Sequence, residues 1–415
     1  MKYFILFCDG AADRKSQVPG VKTPLEAAVK PTFNMLSYRS FNGVVSSAPE
    51  NAPLDVGTSF LSLLSFDPQG LTGFSPFDAA RAGASLTGED TVYKCSLVTL
   101  SDKGEPFDKK VLVDCCGDIT DEEAASLVSA LNKGLSTKIK KFYRYSGTEH
   151  RLVWRRAPED AAIPSPCDVK GAAVGQYLAD KNAAKIKAVV EKSFEVLNNC
   201  PVNEKRRESG KKPLNAVWLW EGSKMPDVEP FAEKWQLSSA SLVTNSEKLT
   251  GIAKSVGIKT VSVGVDENGE ELYDAEAQAA IKEFTDGADL VTVHTGTVSK
   301  KALEGDFAGK TAAIEAADSR ILAPVYEYLC GCGDQFKLLV ATGLPAPCED
   351  KAYVREPSPF FMYNSQRTEV GYKPFSETNA RKGGFNLPDG YKFMSFMIRI
   401  PAPVVEETEE NDGEQ

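Results

Sequence analysis

Histidine is scarce: His150 and His294 are the only two in a chain of 415 residues. That count excludes a histidine-rich binuclear metal centre, which needs several imidazoles or carboxylates converging on two ions. Cysteine is present but unpatterned. The nine cysteines are an odd number without paired zinc-type spacing, and Cys330 and Cys332 stand only one residue apart. Such usage argues against a disulfide framework and for a reducing, cytoplasmic compartment. Long apolar runs are missing as well. The amino terminus has Lys2 and then six apolar residues, Tyr3 to Cys8, cut off by Asp9. A secretory signal needs a longer run and a spanning helix about 20 residues, so no membrane partner is expected. Surplus positive charge is absent too: 48 basic against 58 acidic residues give a net charge of −10. Six of those acids, Glu406, Glu407, Glu409, Glu410, Asp412 and Glu414, crowd the last ten residues. The body then carries only about −4, which leaves no basic field for nucleic acid. The tail, residues 403–415, reads as solvated and disordered.

What remains is the composition of an ordinary soluble protein, 42% hydrophobic, 26% charged and 9% aromatic. At about 150 residues per domain, the length predicts two or three units, or one core with a large insertion. Apolar runs at 3–8, 215–220, 259–263, 289–294, 337–342 and 359–363 read as buried strands. Helical patterns lie between them, notably 185–198, with Ile186, Val189, Val190 and Leu197 on one face, and 275–284. This alternation predicts an α/β fold: a mostly parallel sheet flanked by helices, whose ligands gather beyond the carboxyl ends of the strands. The stretch 91–166 differs. Shorter alternating strands at 92–100, 111–113, 139–145 and 151–155 surround one helix, 121–133. That helix has Thr120 as N-cap, Glu123 completing a capping box, and Gly134 just past its end. We read an inserted α+β cap domain with its Pro- and Ala-rich linker over 91–168, and a discontinuous core over 1–90 and 169–402.

Three groups of residues are candidates for chemistry. Asp9 ends the first strand and would stand in the ligand crevice, either holding a cation or merely capping a turn before Gly10. Asp55-Val56-Gly57-Thr58-Ser59 places hydroxyls at a helix start, where free N–H groups attract phosphate or where a side chain simply caps the helix. Lys138, Lys140, Lys141, Arg144, Arg155 and Arg156 alternate along the cap strands and include plain solvated surface. His150-Arg151 stands within that cluster. A further basic group, Asn203, Lys205, Arg206, Arg207, Lys211 and Lys212, could clamp a carboxylate or phosphate or form a charged loop.

Several stretches carry a further signal when read in order. They are Cys8-Asp9-Gly10-Ala11-Ala12-Asp13, Lys22-Thr23-Pro24-Leu25-Glu26-Ala27-Ala28, Leu61-Ser62-Leu63-Leu64 before Phe66-Asp67-Pro68, and Thr72-Gly73 with Pro76. His150-Arg151-Leu152-Val153-Trp154, Pro201-Val202-Asn203 with Arg206-Arg207, and Asn215-Ala216-Val217-Trp218-Leu219-Trp220 follow. Together they resemble the archaeal-type cofactor-independent phosphoglycerate mutases, a branch of the alkaline phosphatase superfamily. The resemblance implies an alkaline-phosphatase-like core with an inserted cap and a glycolytic isomerase reaction, 3-phosphoglycerate to 2-phosphoglycerate. It also implies a metal-bound serine as nucleophile, two manganese or magnesium ions held by aspartates and histidines, and arginines that hold the substrate. Transferred position by position, the substrate-binding residues are His150, Arg151, Asn203, Arg206 and Arg207. The metal site keeps only Asp9 and His294. Leu54 replaces the serine, with Thr58 or Ser59 as stand-ins and Thr58 the catalytic candidate. The remaining ligand positions fall on Ser299, Leu303, Gly343, Leu344 and Tyr353, and two further family histidines fall near Asp118 and on Cys167. Hydroxyls and leucines do not replace carboxylate and imidazole for Mn²⁺ or Mg²⁺. Leu303 and Leu344 would line the crevice with hydrocarbon, unless Glu304 or Asp306 has moved in.

The leading expectation is therefore a divergent, metal-free and catalytically impaired member that retains a grip on a phosphorylated small molecule. Two alternatives stay open. One is an active Mn- or Mg-dependent mutase or phosphatase rebuilt on Asp9, Asp55, Thr58 and His294. The other is an interaction subunit whose apolar crevice docks a protein.

Overall fold

The computed structural model describes residues 1–15, 20–115, 117–158, 162–367 and 369–398. The tail expected to be disordered, 403–415, lies outside the described residues. In chain order the strands are β1 (Lys2–Cys8), β2 (Phe41–Val45), β3 (Asp90–Leu100), β4 (Leu112–Asp114), β5 (Lys140–Ser146), β6 (Glu149–Arg155), β7 (Ala216–Lys224), β8 (Ala240–Val243), β9 (Lys259–Val261), β10 (Leu290–Thr295), β11 (Phe336–Ala341), β12 (Ser358–Asn364) and β13 (Phe385–Leu387). Eight of them form the main sheet, in the order β13-β2-β12-β11-β1-β10-β8-β9. β1 runs parallel to β10 on one side and to β11 on the other. β12 is antiparallel to both its neighbours. The expected α/β architecture is thus present, with β1 inside the sheet.

The sequence of β1 explains its position. Alternate side chains leave a strand on opposite faces. Phe4, Leu6 and Cys8 pack with Phe33, Phe284 and Ile314, whereas Ile5 and Phe7 pack with Phe60, Phe77 and Phe360. Each such large side chain contributes about 1.5–3 kcal/mol on full burial. A strand covered on both faces has no polar side to show, so it reads as an unbroken apolar run.

The second sheet has the order β4-β3-β6-β5, with β7 also paired to β3. Its helix Asp121–Leu135 starts as expected, with Thr120 and Glu123 forming a reciprocal capping box. Its end differs from expectation. Gly134 lies inside the last turn, where the Val196 side chain packs so closely that a Cβ would stand 2.7 Å from it. The strand at 215–220 also differs: expected in the main sheet, it runs antiparallel to β3 in the second one. Trp218 and Leu219 share a core there with Leu97, Leu131, Leu152 and Val190. A buried apolar run shows that a strand is covered, not which sheet it joins. The second core therefore reaches past the expected limit at 168 and takes in residues up to Trp220.

That arrangement decides the role of the basic group after Cys200. The helix Pro201–Glu208 packs into the second core, and Asn203 is fully buried. Its amide donates to Leu197 O (2.8 Å) and Leu214 O (2.9 Å) and accepts from Leu214 N (2.8 Å). Arg206 donates to Lys212 O and to Glu123, both at 2.9 Å. Arg207 donates to Asn198 O at 2.8 Å. Expected as a substrate clamp, these three side chains make internal bonds in this structure: Asn203 joins the helix Ala184–Asn198 to Leu214 just before β7, Arg206 joins Lys212 to the helix Asp121–Leu135, and Arg207 holds Asn198. Asn203→Ala should lower unfolding stability by about 2–4 kcal/mol, since it strands buried backbone groups. Urea denaturation checks this, and an unchanged midpoint would contradict the structural role.

Candidate functional site

The parallel strands β1, β10 and β11 end at one rim of the main sheet. Gly10 N–H donates to Thr342 O (3.1 Å), drawing the loops after β1 and β11 together. Asp9 lies in that junction, fully buried. Its Oδ2 accepts a hydrogen bond of 2.5 Å from the Tyr353 hydroxyl, while Oδ1 takes none among the described residues. Burial pushes the Asp9 carboxyl up to about 7 and Asp55 adds in the same direction; Tyr353, Leu344 N–H and Ser299 pull it down. Burial and the neighbouring carboxylate push the Tyr353 phenol well above its usual range, so the proton stays on the phenol. Gly343 makes the approach feasible. It sits at φ +64°, and a Cβ there would stand 2.2 Å from Asp9 Oδ1, so only glycine fits.

The donor set around Asp9 does not fit Mn²⁺ or Mg²⁺. These ions take several charged or strongly donating oxygens. Here Asp9 faces a phenol, the backbone of Gly343 and the Ser299 hydroxyl, which donates to Gly296 O at 3.0 Å, and the carboxylate that acts on it, Asp55, is paired with Lys248. Among the described residues, no three His, Cys, Asp or Glu side chains are grouped to share an ion. Glu304 and Asp306 have not moved in. Glu304 pairs with Lys301 at 3.6 Å, and Asp306 caps the helix Phe307–Ala316 through Gly309 N–H at 2.8 Å. Leu344 is buried, but Leu303, expected beside it, is 39% exposed.

His294 ends up between hydrocarbon and a hydroxyl. Its ring centroid is 5.4 Å from that of Phe7, and Nδ1 shares a hydrogen bond of 3.0 Å with Thr244. Desolvation lowers its pKa to about 3, so the imidazole is neutral. Thr58 and Ser59 lie in the helix Val56–Leu63, whose first turn Asp55 caps through Gly57 N–H (2.7 Å). Both hydroxyls are buried and lack hydrogen-bond partners among the described residues. Thr58, the expected nucleophile, therefore has no hydrogen-bonded base among the described residues.

A cavity of about 410 Å³ opens beside the start of this helix, lined by Leu54, Asp55, Asp78, Lys94, Glu149, Arg151, Glu221 and Lys248 among others. Leu54 is 39% exposed here, at the position where the resemblance places the serine. Four carboxylates face three cations, and every cation is engaged. Arg151 binds Asp78 through Nε (3.0 Å) and Nη2 (2.6 Å), and Glu149 through Nη1 (2.8 Å). Lys94 pairs with Glu221 at 2.8 Å, and Lys248 with Asp55. Of the five expected substrate residues, Arg151 alone lines this cavity. His150 is its neighbour on β6, and consecutive strand side chains take opposite faces. Its Nδ1 accepts from Tyr145 N (3.3 Å), and burial with two nearby arginines lowers its pKa to about 4. A larger cavity, about 650 Å³, lies between residues 66–72 and 222–228 and contains none of the expected site residues.

Sequence reasoning missed Asp78, Lys94, Glu221 and Lys248, which no local motif marks. It also missed Lys310. This fully buried ammonium donates to Ala12 O (3.1 Å), Asp13 Oδ2 (2.9 Å) and Ala346 O (2.9 Å), tying the loops after β1 and β11. A signal existed: Lys310 stands three and four residues before Ala313 and Ile314, on the buried face of its helix.

A family model described as 2,3-bisphosphoglycerate-independent phosphoglycerate mutase matches residues 38–203. The chain is 30% identical over 404 residues to the 2,3-bisphosphoglycerate-independent phosphoglycerate mutase of Methanosarcina barkeri, covering 96% of this chain and 100% of that protein. It is 29% identical over 403 residues to the probable 2,3-bisphosphoglycerate-independent phosphoglycerate mutase of Geobacter sulfurreducens, with 96% and 100% covered. Among solved structures it resembles a Pyrococcus horikoshii protein, with a TM-score of 0.73 at 22% identity over 95% of this chain and 96% of that one. The cofactor-independent phosphoglycerate mutase from Thermoplasma acidophilum gives 0.66 at 21% identity over 95% and 98%. These likenesses establish the fold.

The state of Asp9 has a measurable consequence. Its pKa is about 7 in the fold and about 3.9 unfolded, so the folded chain binds the extra proton between these values. Stability from this group is full below about pH 4 and falls by roughly 4 kcal/mol as pH rises through about 7. Asp9→Asn removes that fall while keeping an acceptor for Tyr353. Its stability relative to the native chain should rise from about pH 4.5 to about pH 7.5 in urea denaturation. A pH-independent difference between the two would contradict the assignment.

Proposed function

The chain belongs to the 2,3-bisphosphoglycerate-independent phosphoglycerate mutase family, and from that premise we propose that it is a non-catalytic, metal-free member. One observation carries this reading: the Tyr353 hydroxyl occupies Asp9 Oδ2. The reaction that the resemblance implies moves a phosphoryl group between two hydroxyls of a glycerate. It needs an activated nucleophile and concentrated positive charge on the phosphoryl oxygens. In this chain Leu54 faces the cavity instead of a hydroxyl. Thr58 is buried with no hydrogen-bonded base among the described residues, and the three cations that line the cavity with Leu54 are each paired with a carboxylate.

The same pairing bears on ligand binding. A phosphorylated small molecule carries two or more negative charges and would enter a cavity with one carboxylate in excess. Binding there requires breaking a bridge such as Arg151–Asp78, both ends of which are almost fully buried. A rebuilt metal site on Asp9, Asp55, Thr58 and His294 finds no support, because Asp55 is held by Lys248 and Gly57 N–H while His294 faces Phe7 and Thr244. We assign the chain to the cytoplasm from its cysteine usage; no helix of the described residues is long and apolar enough to cross a membrane.

The purified chain, given 3-phosphoglycerate and Mn²⁺ or Mg²⁺, should show no conversion to 2-phosphoglycerate above the uncatalysed background. Elemental analysis of the same sample should find less than about a tenth of an equivalent of bound manganese, zinc or magnesium. Turnover accompanied by stoichiometric metal would overturn the proposal.

A further inference from the structure

The cavity beside Leu54 sets Asp55, Asp78, Glu149 and Glu221 against Lys94, Arg151 and Lys248. The one carboxylate in excess is felt where solvent enters. Arg151 and Asp78 are almost fully buried in the wall, and Asp55 and Lys248 are about equally open. Glu149 is 38% exposed and Glu221 31%, more than the 22% of Lys94 that pairs with Glu221. We propose that this cavity binds a small aliphatic compound carrying one ammonium group, whose charge cancels the excess. The inference extends the reading above, in which the crevice is not given to phosphoglycerate.

The lining has acceptors to spare and few donors. Glu149 holds Arg151 through Oε1 and Glu221 holds Lys94 through Oε2, both at 2.8 Å, and the second oxygen of each takes no hydrogen bond among the described residues. Gly73 leaves room beside one of them, since a Cβ there would stand 2.8 Å from Glu221 Oε1. Glu221 itself sits at φ +45°, where the pairing of β7 with β3 slips between Val92 and Lys94. A left-handed backbone is costly for a residue with a Cβ, and the residue that adopts it is one whose carboxylate lines the cavity. In the wall, Asp78 Oδ1 and Ser75 Oγ are buried without partners among the described residues. The donors, by contrast, are used. Arg151 gives Nε and Nη2 to Asp78, and Nη1 to both Glu149 and His150 O (2.9 Å). An ammonium brings three donors and no acceptor, which suits a wall of this kind and which a phosphate does not supply. Leu54, Phe74 and Tyr145 also line the cavity and offer apolar contact to an alkyl stem.

Calorimetric titration of the full chain at low ionic strength and neutral pH tests this, with 4-aminobutan-1-ol as the probe, butane-1,4-diol as its uncharged counterpart and 3-phosphoglycerate as the anion. The amine should bind saturably at one site, and the other two should give no saturable heat. Glu221→Gln and Glu149→Gln should each weaken the amine about tenfold, the worth of one hydrogen bond to a charged group. Asp286→Asn, which removes an equal charge outside the cavity, should leave its affinity unchanged. Lys94→Met should tighten it by freeing Glu221, whereas an anion site would be weakened by the same change. An amine without saturable heat, an affinity indifferent to both Gln variants, or weaker amine binding by Lys94→Met overturns the proposal, and so does saturable binding of 3-phosphoglycerate that Lys94→Met abolishes. Turnover with bound metal overturns the non-catalytic reading whatever the amine does, so the two failures are told apart.

Discussion

A carboxyl group at the end of a strand buried on both faces must be compensated by a cation or kept neutral, because an unpaired buried anion costs several kcal/mol. Asp9 is such a group, and burial shifts it towards the neutral form although the Tyr353 hydrogen bond favours the ionised one. Tyr353 donates to one oxygen, and burial raises the carboxyl to about 7. The neighbouring residues follow from that choice. Gly343 has no side chain to collide with Asp9, Leu344 packs hydrocarbon beside it, and Ser299 satisfies its hydroxyl on its own helix. Nothing in this set asks for an ion.

Positive charge elsewhere is distributed by the same logic. Lys310 spends all three donors on the loops that flank Asp9, and so cross-links the rim of the sheet without a metal. Arg151, Lys94 and Lys248 each hold a lining carboxylate across the cavity. The Arg151–Asp78 pair is buried, and such a pair adds little net stability although removing one partner is expensive. The effect of the three pairs is to tie the residues of the cavity wall to one another. The family fold persists, and on the reading proposed above the charge pattern for phosphoryl transfer does not.

Much of this was legible in the sequence. The continuous apolar run of β1 marked a doubly covered strand ending in Asp9, and Thr120 with Glu123 marked the start of the helix Asp121–Leu135. Tyr353, Gly343 and Leu344 stood out once the resemblance aligned them. The basic residues after Cys200 misled, because planar donors that could clamp an anion serve equally well to bind carbonyls, and only the fold shows which acceptors are near. Strand β7 misled because burial does not name a sheet partner. The cavity pairs were invisible for a related reason. Lys94 and Glu221 come from strands more than a hundred residues apart, and no spacing rule links them.

Carbon-13 NMR of aspartate-labelled protein, with the Asp9 carboxyl assigned through Asp9→Asn, tests the central claim most directly. The resonance should titrate with a midpoint near the value of about 7 given by its burial, and one equivalent of Mn²⁺ should leave it unbroadened. A midpoint below about 4, with paramagnetic loss of that signal on adding Mn²⁺, would show an ionised ligand holding metal and contradict the account.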